Sequence, residues 1–379
     1  MKKLRFHDGK FVIVQVADAQ DLRHVRPTMI RMLNHAYDDL HPDLVVLTGD
    51  NILGNHLRDA RIGTREVIHT LDGEREALRG AIAALCAPIE KRGIPFAAIF
   101  GNHDDRNSFT KEDQAEMYRA FSSNIPFDEY GNQLDCGTYH IPLYGEEGDE
   151  VKFNLWMFDS AWQDKTDGKC YEAVTPDAVQ WYRERSAALA EQNGGAPVPS
   201  LAFQHVPIDR TLELIEECPI WKEGAVKGPD GKYFRLKRGF HGEIGEYPCT
   251  CPDNGLFDAM KERGDVRACV YSHDHCNCYE ANLEGIDILQ SSCASFRCYG
   301  NRYRGVRAFV IDEATGTYET EFFTYDELTG GGVLNMAAYV WDADGMFKQK
   351  VAMIGIASAL VGGVTAGAVL LAKHLKKRK

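Results

Sequence analysis

The stretch Phe100-Gly101-Asn102-His103-Asp104-Asp105 decides how the rest of the chain is interpreted. Residues 94–100 are small and apolar, and they predict a buried strand that stops where polar side chains begin. The amide of Asn102 and the imidazole of His103 follow at once, and Asp104 is placed to accept a hydrogen bond from that imidazole and fix its tautomer. Open α/β sheets place their sites at the carboxyl ends of strands, so the stretch predicts a functional site.

The hundred residues that lead to this stretch alternate between strand and helix patterns. Strands are predicted at 11–17 and 44–48, and helices at 28–40 and 65–92. This β-α-β-α-β order predicts an α/β fold whose sheet is joined by crossover helices. The later predicted elements are a helix at 111–122, strands at 138–142 and 151–159, a helix at 176–192, a strand at 201–204, a long loop region at 219–254, a helix at 256–263, a strand at 268–271 and alternating strands to about residue 323.

The composition bounds the class of protein. The chain has 379 residues, 44% of them hydrophobic, which allows one large or two ordinary globular domains with a sizeable core. The formal net charge is -13, so no nucleic-acid partner is expected. An acidic protein can still bind an anionic substrate where metal ions supply positive charge in the site.

Five predicted strands end in side chains that can bind metal ions. The candidate ligands are, in chain order, Asp18 and Gln20, Asp50, Asn102 and His103, His205, and His273 and His275. Taken singly, each cluster has an ordinary explanation as a helix cap, a turn or a buried histidine. Taken together, these oxygen and nitrogen ligands suit two divalent ions about 3.5–4 Å apart, bridged by a carboxylate. Such ions neutralise phosphoryl oxygens and activate water, so the pattern predicts hydrolysis of phosphate esters.

These residues resemble the motifs of the calcineurin-like metallophosphoesterase superfamily over residues 11–275. The matching motifs are Asp18-x-Gln20, Gly49-Asp50, Gly101-Asn102-His103-Asp104, His205 and Ser272-His273-x-His275. The stretches 3–6, 176–184 and 254–266 also resemble the purple-acid-phosphatase-29-like (Dcr2-like) branch. The resemblance implies a four-layer α/β/β/α sandwich of two mixed sheets, here residues 1–326.

The resemblance also implies a role for each matching residue. The first metal ion would be held by Asp18, Gln20 and His275, the second by Asn102, His205 and His273, and Asp50 would bridge them. His103 would protonate the leaving-group oxygen as general acid, oriented by Asp104, while a hydroxide that bridges the ions attacks phosphorus. The implied cofactors are two divalent or trivalent ions of Mn, Fe or Zn, and the implied substrate is a phosphorylated small molecule or another phosphoester.

The sequence departs from the family pattern in three places. Gln20 stands where the family usually has histidine, and its amide oxygen is a harder and weaker ligand. The first ion is therefore expected to bind less tightly and to be Mn or Fe rather than Zn. Ser272 replaces the usual glycine, and residues 51–54 contain no tyrosine, so the tyrosinate that colours true purple acid phosphatases is missing.

Two further side chains are predicted to contact the substrate. Arg106 follows the His103 loop, and its guanidinium is of the kind that binds phosphate. His241 lies in the loop region predicted at 219–254. A solvated loop explains either residue as well.

The chain has eleven cysteines, and seven of them lie between residues 249 and 298. We interpret them as free thiols of a reducing compartment. The alternative is a disulfide or zinc set among Cys249, Cys251, Cys276 and Cys278. The C-x-C spacing of that set is tighter than the usual zinc knuckle.

Residues 351–372 carry no charge and are followed by a basic tail at 373–379. At 1.5 Å per residue they span about 33 Å, so they predict a single transmembrane helix in a lipid bilayer, with 327–350 as a juxtamembrane linker. A buried core helix is the alternative. The basic tail favours a cytoplasmic C-terminus, which would place the catalytic domain outside. The cysteine content favours a cytoplasmic catalytic domain on this anchor instead.

The sequence therefore predicts a membrane-anchored hydrolase that acts on phosphoric ester bonds, either monoesters or diesters. Two other classes stay open. A binding protein or pseudoenzyme of the same fold is suggested by Gln20 alone, and a nuclease shares the fold but disagrees with the acidic charge.

Overall fold

The computed structural model of this chain describes residues 3–59, 67–127, 136–160, 171–349 and 351–353. In chain order, its elements are β1 (Lys10–Val16), α1 (Pro27–Leu40), β2 (Leu44–Thr48), α2 (Leu71–Glu90), β3 (Phe96–Ile99), α3 (Lys111–Tyr118), β4 (Tyr139–Tyr144), β5 (Val151–Phe158), α4 (Pro176–Gln192), β6 (Ser200–Gln204), β7 (Ile215–Glu217), β8 (Val226–Lys227), β9 (Tyr233–Leu236), β10 (His241–Glu243), α5 (Leu256–Arg263), β11 (Val266–Tyr271), β12 (Cys278–Leu283), β13 (Ile286–Gln290), β14 (Gly305–Asp312), β15 (Tyr318–Thr324), α6 (Tyr325–Thr329) and α7 (Val333–Asp342).

The first sheet has the strand order β15-β14-β1-β2-β3. β1, β2 and β3 pair in parallel, and β14 adds to β1 in the antiparallel sense. These parallel strands are apolar nearly throughout because both of their faces are buried. Their carboxyl ends lie along one edge, and Asp18, Asp50 and Asn102 follow there.

The second sheet has the strand order β10-β12-β13-β11-β6-β5-β4. Its inner strands β5, β6, β11 and β13 pair in parallel, and the outer strands pair in the antiparallel sense. The carboxyl ends of β6 and β11 meet the first sheet, where Oγ of Ser272 donates to the carbonyl oxygen of Thr48 at 2.6 Å. The expected pair of mixed sheets is confirmed.

The two sheets face each other across the larger hydrophobic core. In β5, Phe153 and Leu155 point into this core, whereas Trp156 and Phe158 point the other way and pack with α4 and α5. This alternation with a period of two is the geometry of a strand with two buried faces. Helices α1 and α2 also contribute to the larger core, and α4 and α5 contribute to the second one.

Two element predictions change. The helix predicted at 65–92 begins at Leu71, because the side chain of Thr70 accepts a hydrogen bond from the N–H of Gly73 and caps it there. Residues 65 and 66 lie outside the described residues. The loop region predicted at 219–254 contains β8, β9 and β10, and β7, β9 and β8 form a small third sheet.

Residues 327–350, predicted as a linker, pack onto the domain as far as Phe347. The Asp342 carboxylate accepts the N–H of Thr28, at the start of α1, at 2.9 Å. Most of the predicted membrane helix, 354–372, and the basic stretch 373–379 lie outside the described residues. Within the described ranges, no helix has the length and apolar character needed to cross a bilayer.

Arg304 is fully buried and ties this last segment to the loop before β14. Its guanidinium donates to the Asp344 carboxylate at 2.7 Å and to the hydroxyl of Tyr339 at 2.9 Å. It also donates to the carbonyl oxygens of Ser295 and Cys298 at 2.6 and 3.0 Å. One buried cation thus holds two chain segments in place.

The Arg304→Met variant is expected to unfold with a free energy lower by about 3–5 kcal/mol, because it leaves the Asp344 carboxylate buried without its partner. Urea unfolding followed by circular dichroism measures the change. Arg183→Met is the matched control, since its ion pair with Glu262 lies on the surface and contributes at most about 1 kcal/mol. Equal losses in both variants would contradict this role of Arg304.

His140 makes stability depend on pH. It is buried in β4, and burial lowers the pKa of His140 from 6.5 to about 4, although Asn154 Oδ1, 2.8 Å from Nδ1, opposes this. The unfolded chain therefore takes up a proton as pH falls below 6.5, whereas the folded chain does so only near pH 4. Stability is lost across this window by about 3 kcal/mol.

In the His140→Gln variant, the free energy of unfolding is expected to fall less between pH 7 and pH 4, because the contribution of His140 is absent. Urea unfolding at both pH values, with a chelator present throughout, gives the difference. The variant His69→Gln, which replaces an exposed histidine, controls for the loss of a histidine. If both variants kept the same pH slope as the parent, His140 would not be the source.

Candidate metal centre

The carboxyl ends of the two sheets bring the predicted ligands together. Nε2 of His205, after β6, lies 3.4 Å from Oδ1 of Asp50, after β2. Nε2 of His275 lies 3.6 Å from Oδ1 of Asp18. The amide oxygen of Asn102 lies 3.3 Å from Nε2 of His205. Residues far apart in the sequence thus share one buried site.

The titratable ligands fall into two groups that share one carboxylate. Ligand atoms of Asp18, Asp50 and His275 lie within 4.8 Å of one another. The ligand atoms of Asp50, His205 and His273 also lie within 4.8 Å of one another. This division agrees with the one that the family resemblance implies, with Asp50 common to both groups. A carboxylate shared in this way suits two adjacent cations.

Several ligand atoms are buried without a hydrogen-bond partner among the described residues. These atoms are Oδ1 of Asp18, Oε1 of Gln20 and Nδ1 of His273. Nε2 of Gln20 donates to Oδ2 of Asp50 at 2.8 Å, so the amide oxygen is the atom left for a cation. Since buried polar atoms normally have a partner, these converging acceptors fit the implied metal ions.

Two histidines are held in the tautomer that a metal ligand needs. Nδ1 of His205 lies 2.9 Å from the carbonyl oxygen of Thr48, and Nδ1 of His275 lies 2.8 Å from that of Tyr299. A carbonyl oxygen can only accept, so Nδ1 of each ring carries a proton and Nε2 is the atom left for a metal ion. The Nε2 atoms are those that face the carboxylates.

Four of the predicted ligands adopt the left-handed backbone conformation. Asp18, Gln20, Asp50 and His273 have φ values of 47°, 35°, 46° and 74°. Such values are uncommon for residues other than glycine and persist where the surrounding structure imposes them, often at functional sites. The strand ends therefore turn sharply at the positions of the ligands.

Gly49 and Gly101 let the strand ends approach each other closely. A Cβ atom on Gly49 would lie 2.6 Å from Nδ1 of His205, and one on Gly101 would lie 2.1 Å from the backbone nitrogen of Asp50. Real Cβ contacts are not that short, and the φ of 86° at Gly49 also favours glycine. Both positions therefore require glycine, because there is no space for a Cβ atom.

The buried carboxylates demand a positive charge nearby. Burial opposes a charge on His205, but Asp50 and Asp18 outweigh it and raise the pKa of His205 to about 9. Burial lowers the pKa of His275 to about 4 and that of His273 well below its usual range, so both rings are neutral. Metal ions would supply the charge that otherwise comes from a proton on His205.

The structure corrects the predicted role of Asp104, which does not orient the imidazole of His103. Its carboxylate accepts the backbone N–H groups of Gly101, Asn51 and Ile52 at 2.7, 3.2 and 3.1 Å. Those buried groups need an acceptor, so the side chain turns inward. Nδ1 of His103 instead lies 2.8 Å from Oδ1 of Asn55.

Of the two predicted substrate contacts, Arg106 lies near the site and His241 does not. Burial and the charge of Arg106 both lower the pKa of His103, which places the guanidinium near that ring. His241 pairs with Glu280 in the ladder of β10 and β12 and lines a cavity of about 820 Å³ that contains none of the candidate ligands. The reason is that β10 is the edge strand of the second sheet, away from β6 and β11.

Two aromatic neighbours of the site have no signal in the sequence. The ring of Tyr299 stacks on His275 with centroids 4.3 Å apart, and Tyr171 meets the ring of His273 at 4.7 Å. Neither tyrosine follows a predicted strand directly. Only the fold shows that they border the ligands.

Of the four cysteines considered for a disulfide or zinc set, Cys251 and Cys278 are free thiols in the structure. Among the described residues, the groups able to hold a metal ion consist of aspartates and histidines. The thiol interpretation is therefore confirmed for these two, and it stays a prediction for Cys249 and Cys276.

The Gln20→His variant is expected to bind the first metal ion roughly tenfold more tightly, because an imidazole is the stronger ligand for Zn and Fe. Competition with a chromogenic chelator measures the affinity. Gln20→Asn is the control, since it keeps the amide but shortens its reach. If Gln20→His bound no more tightly than Gln20→Asn, position 20 would not face the metal.

Two buried ligand groups where two mixed sheets meet define this protein as a hydrolase of the metallophosphoesterase class. The chain belongs to the calcineurin-like phosphoesterase family, whose sequence profile matches residues 11–277.

Named relatives confirm the purple-acid-phosphatase-like (Dcr2-like) branch. "Probable inactive purple acid phosphatase 14" of Arabidopsis thaliana is 26% identical over 346 residues, which are 82% of this chain and 77% of the plant protein. "Phosphatase DCR2" of Saccharomyces cerevisiae is 25% identical over 299 residues, 72% of this chain and 45% of the yeast protein. Among solved structures, a dimetal phosphatase from Danio rerio is 12% identical, with a TM-score of 0.47 over 83% of this chain and 99% of the fish protein.

Proposed function

We propose that this protein hydrolyses phosphate monoesters or diesters with two metal ions of Mn, Fe or Zn. The residues that would hold them are Asp18, Gln20 and His275 for one ion, Asn102, His205 and His273 for the other, and Asp50 for both. The pair of buried ligand groups that share Asp50 is the observation that carries the proposal. When bound, the ions would neutralise phosphoryl oxygens and activate water.

His103 is proposed to give a proton to the leaving-group oxygen. Its backbone N–H donates to Oδ1 of Asp50 at 2.7 Å, which fixes the residue beside the ligands. Nδ1 donates to Oδ1 of Asn55, so Nε2 is the ring atom available to the substrate. A phosphate dianion beside the ring would favour its protonated form and oppose the lowering of its pKa by burial.

A binding protein or pseudoenzyme of the same fold is the second candidate. The name of the Arabidopsis relative includes the word inactive, and Gln20 replaces a usual family ligand. The remaining ligand positions match the family pattern, and their orphaned atoms converge, which favours the enzyme. A nuclease is disfavoured by the net charge of -13.

Metal content and turnover together separate these functions. We expect two equivalents of metal per chain after purification without chelators, and release of p-nitrophenol from p-nitrophenyl phosphate or its bis ester. DNA should stay intact under the same conditions. One equivalent or none, without turnover on either ester, would establish the binding protein instead.

We further propose that residues 351–372 anchor the chain in a bilayer. The support is their uncharged sequence, its length of about 33 Å as a helix, and the small residues Gly363 and Gly367, which suit helix packing in lipid. Leu360→Arg combined with Val364→Arg should release the protein from membranes during an alkaline carbonate wash. The same positions changed to isoleucine are the control, and release of both variants or neither would contradict the anchor.

The catalytic domain is proposed to lie on the cytoplasmic side. Cys278 is a partly exposed free thiol, and its labelling reports the side of the membrane. A membrane-impermeant maleimide should label it in permeabilised cells but not in intact cells. Labelling in intact cells would place the domain outside.

A further inference from the structure

Helix α7 buries mainly polar residues and exposes apolar ones, the reverse of an ordinary surface helix. Its buried residues are Asn335, Tyr339 and Asp342, two of them polar. Its outward residues include Val333 and Trp341, which are 86% and 81% exposed. A surface helix normally buries its apolar stripe and exposes its polar one.

The polar contacts of α7 fix this orientation. Nδ2 of Asn335 donates to the carbonyl oxygens of Thr329 and Gly331, both at 2.7 Å. Asp342 accepts the N–H of Thr28 at 2.9 Å. Rotating the apolar stripe inward would break these hydrogen bonds and leave buried polar groups unpaired.

The apolar surface extends beyond the helix. Twelve large hydrophobic side chains are exposed in the described part of the chain, and seven of them lie between 333 and 353. These seven, which we call the apolar face, are Val333, Leu334, Met336, Trp341, Met346, Val351 and Met353. A concentration of this kind marks an interaction site rather than scattered surface residues.

We propose that the apolar face lies in the surface of a lipid bilayer. This inference rests on the proposed anchor and deepens it, because the face runs directly into the uncharged stretch 354–372. A chain anchored there keeps the face next to the bilayer at a high effective concentration. The exposed Lys348, on the same side of the proposed anchor as α7, suits contact with anionic headgroups.

The residue types suit contact with a bilayer. Trp341 is an amphipathic ring of the kind enriched at membrane interfaces. A single flexible tether would let the domain tumble, whereas a second contact through α7 would hold the domain in one orientation.

Quenching by brominated lipid tests the contact directly. The full chain is reconstituted in vesicles of phosphatidylcholine and phosphatidylglycerol, with or without bromine on the acyl chains. The variant Trp341→Phe should lose most of the bromine-dependent quenching of tryptophan emission. Trp221→Phe is the matched control, because Trp221 is 80% exposed on a different part of the domain, and it should keep that quenching. Equal quenching in the two variants would overturn the inference.

A photocrosslinker identifies what covers the face. Leu334→p-benzoylphenylalanine in the same vesicles should form an adduct with lipid, whereas Ile220→p-benzoylphenylalanine should not. An adduct with a second copy, or within the chain, would overturn the inference. Failure of the anchor is measured separately, as release of the parent protein in a carbonate wash. A retained protein with unquenched Trp341 would reject only the contact of α7.

Discussion

The Asp50→Asn variant is expected to lose both metal ions and to turn over p-nitrophenyl phosphate at least about 10³-fold more slowly. Asp50 belongs to both ligand groups, and its two oxygens contact Gln20 and the backbone of His103. An amide of the same shape removes the negative charge that the two ligand groups share. Mass-spectrometric metal analysis and kcat/KM measure the two effects.

Asp265→Asn is the matched control for that variant. Asp265 is another buried carboxylate, and it accepts hydrogen bonds from Trp156 and Ser186 behind the second sheet. Its replacement should keep two metal ions and nearly full activity, even if stability falls. A fully loaded and active Asp50→Asn protein would contradict the shared-ligand arrangement.

The His103→Gln variant is expected to keep its metal ions and to lose about 10²–10⁴-fold in kcat on alkyl phosphates. The loss should be much smaller on p-nitrophenyl phosphate, because that leaving group departs without help from a proton. This dependence on the leaving group distinguishes a general acid from a residue that only maintains structure. Parallel kinetics on the two ester classes give the comparison.

His56→Gln is the control for His103→Gln. His56 is an exposed histidine of the neighbouring loop, and it contacts the Asp59 carboxylate. Its replacement should leave kcat on both ester classes unchanged. An equal loss on both classes in His103→Gln, or a loss of metal, would show that His103 does not act as the proton donor.

The sequence was a good guide wherever local pattern and sheet geometry act together. Asp18, Asp50, Asn102, His205 and the two histidines after β11 each follow a strand, and the carboxyl ends of parallel strands share an edge. Their convergence was therefore predictable without knowing how the loops run.

Adjacency in sequence was misleading for Asp104. The carboxylate lies next to His103 along the chain, yet it turns inward because three buried N–H groups lack another acceptor. His241 was misplaced for a similar reason, since the loop-rich region at 219–254 contains β10, an edge strand that lies away from β6 and β11. Side-chain direction depends on which backbone groups the fold leaves unpaired.

The sequence by itself determined the α/β class, the family and the set of candidate ligand positions, because strand ends and their polar residues are local features. Only the tertiary structure decided that Tyr299 holds His275, that Arg304 ties Asp344 to the loop beside the site, and that α7 presents its apolar side outward. Each of these depends on contacts between segments distant in the chain. Such contacts form where burial and hydrogen bonding together have the lowest free energy, and no local pattern encodes them.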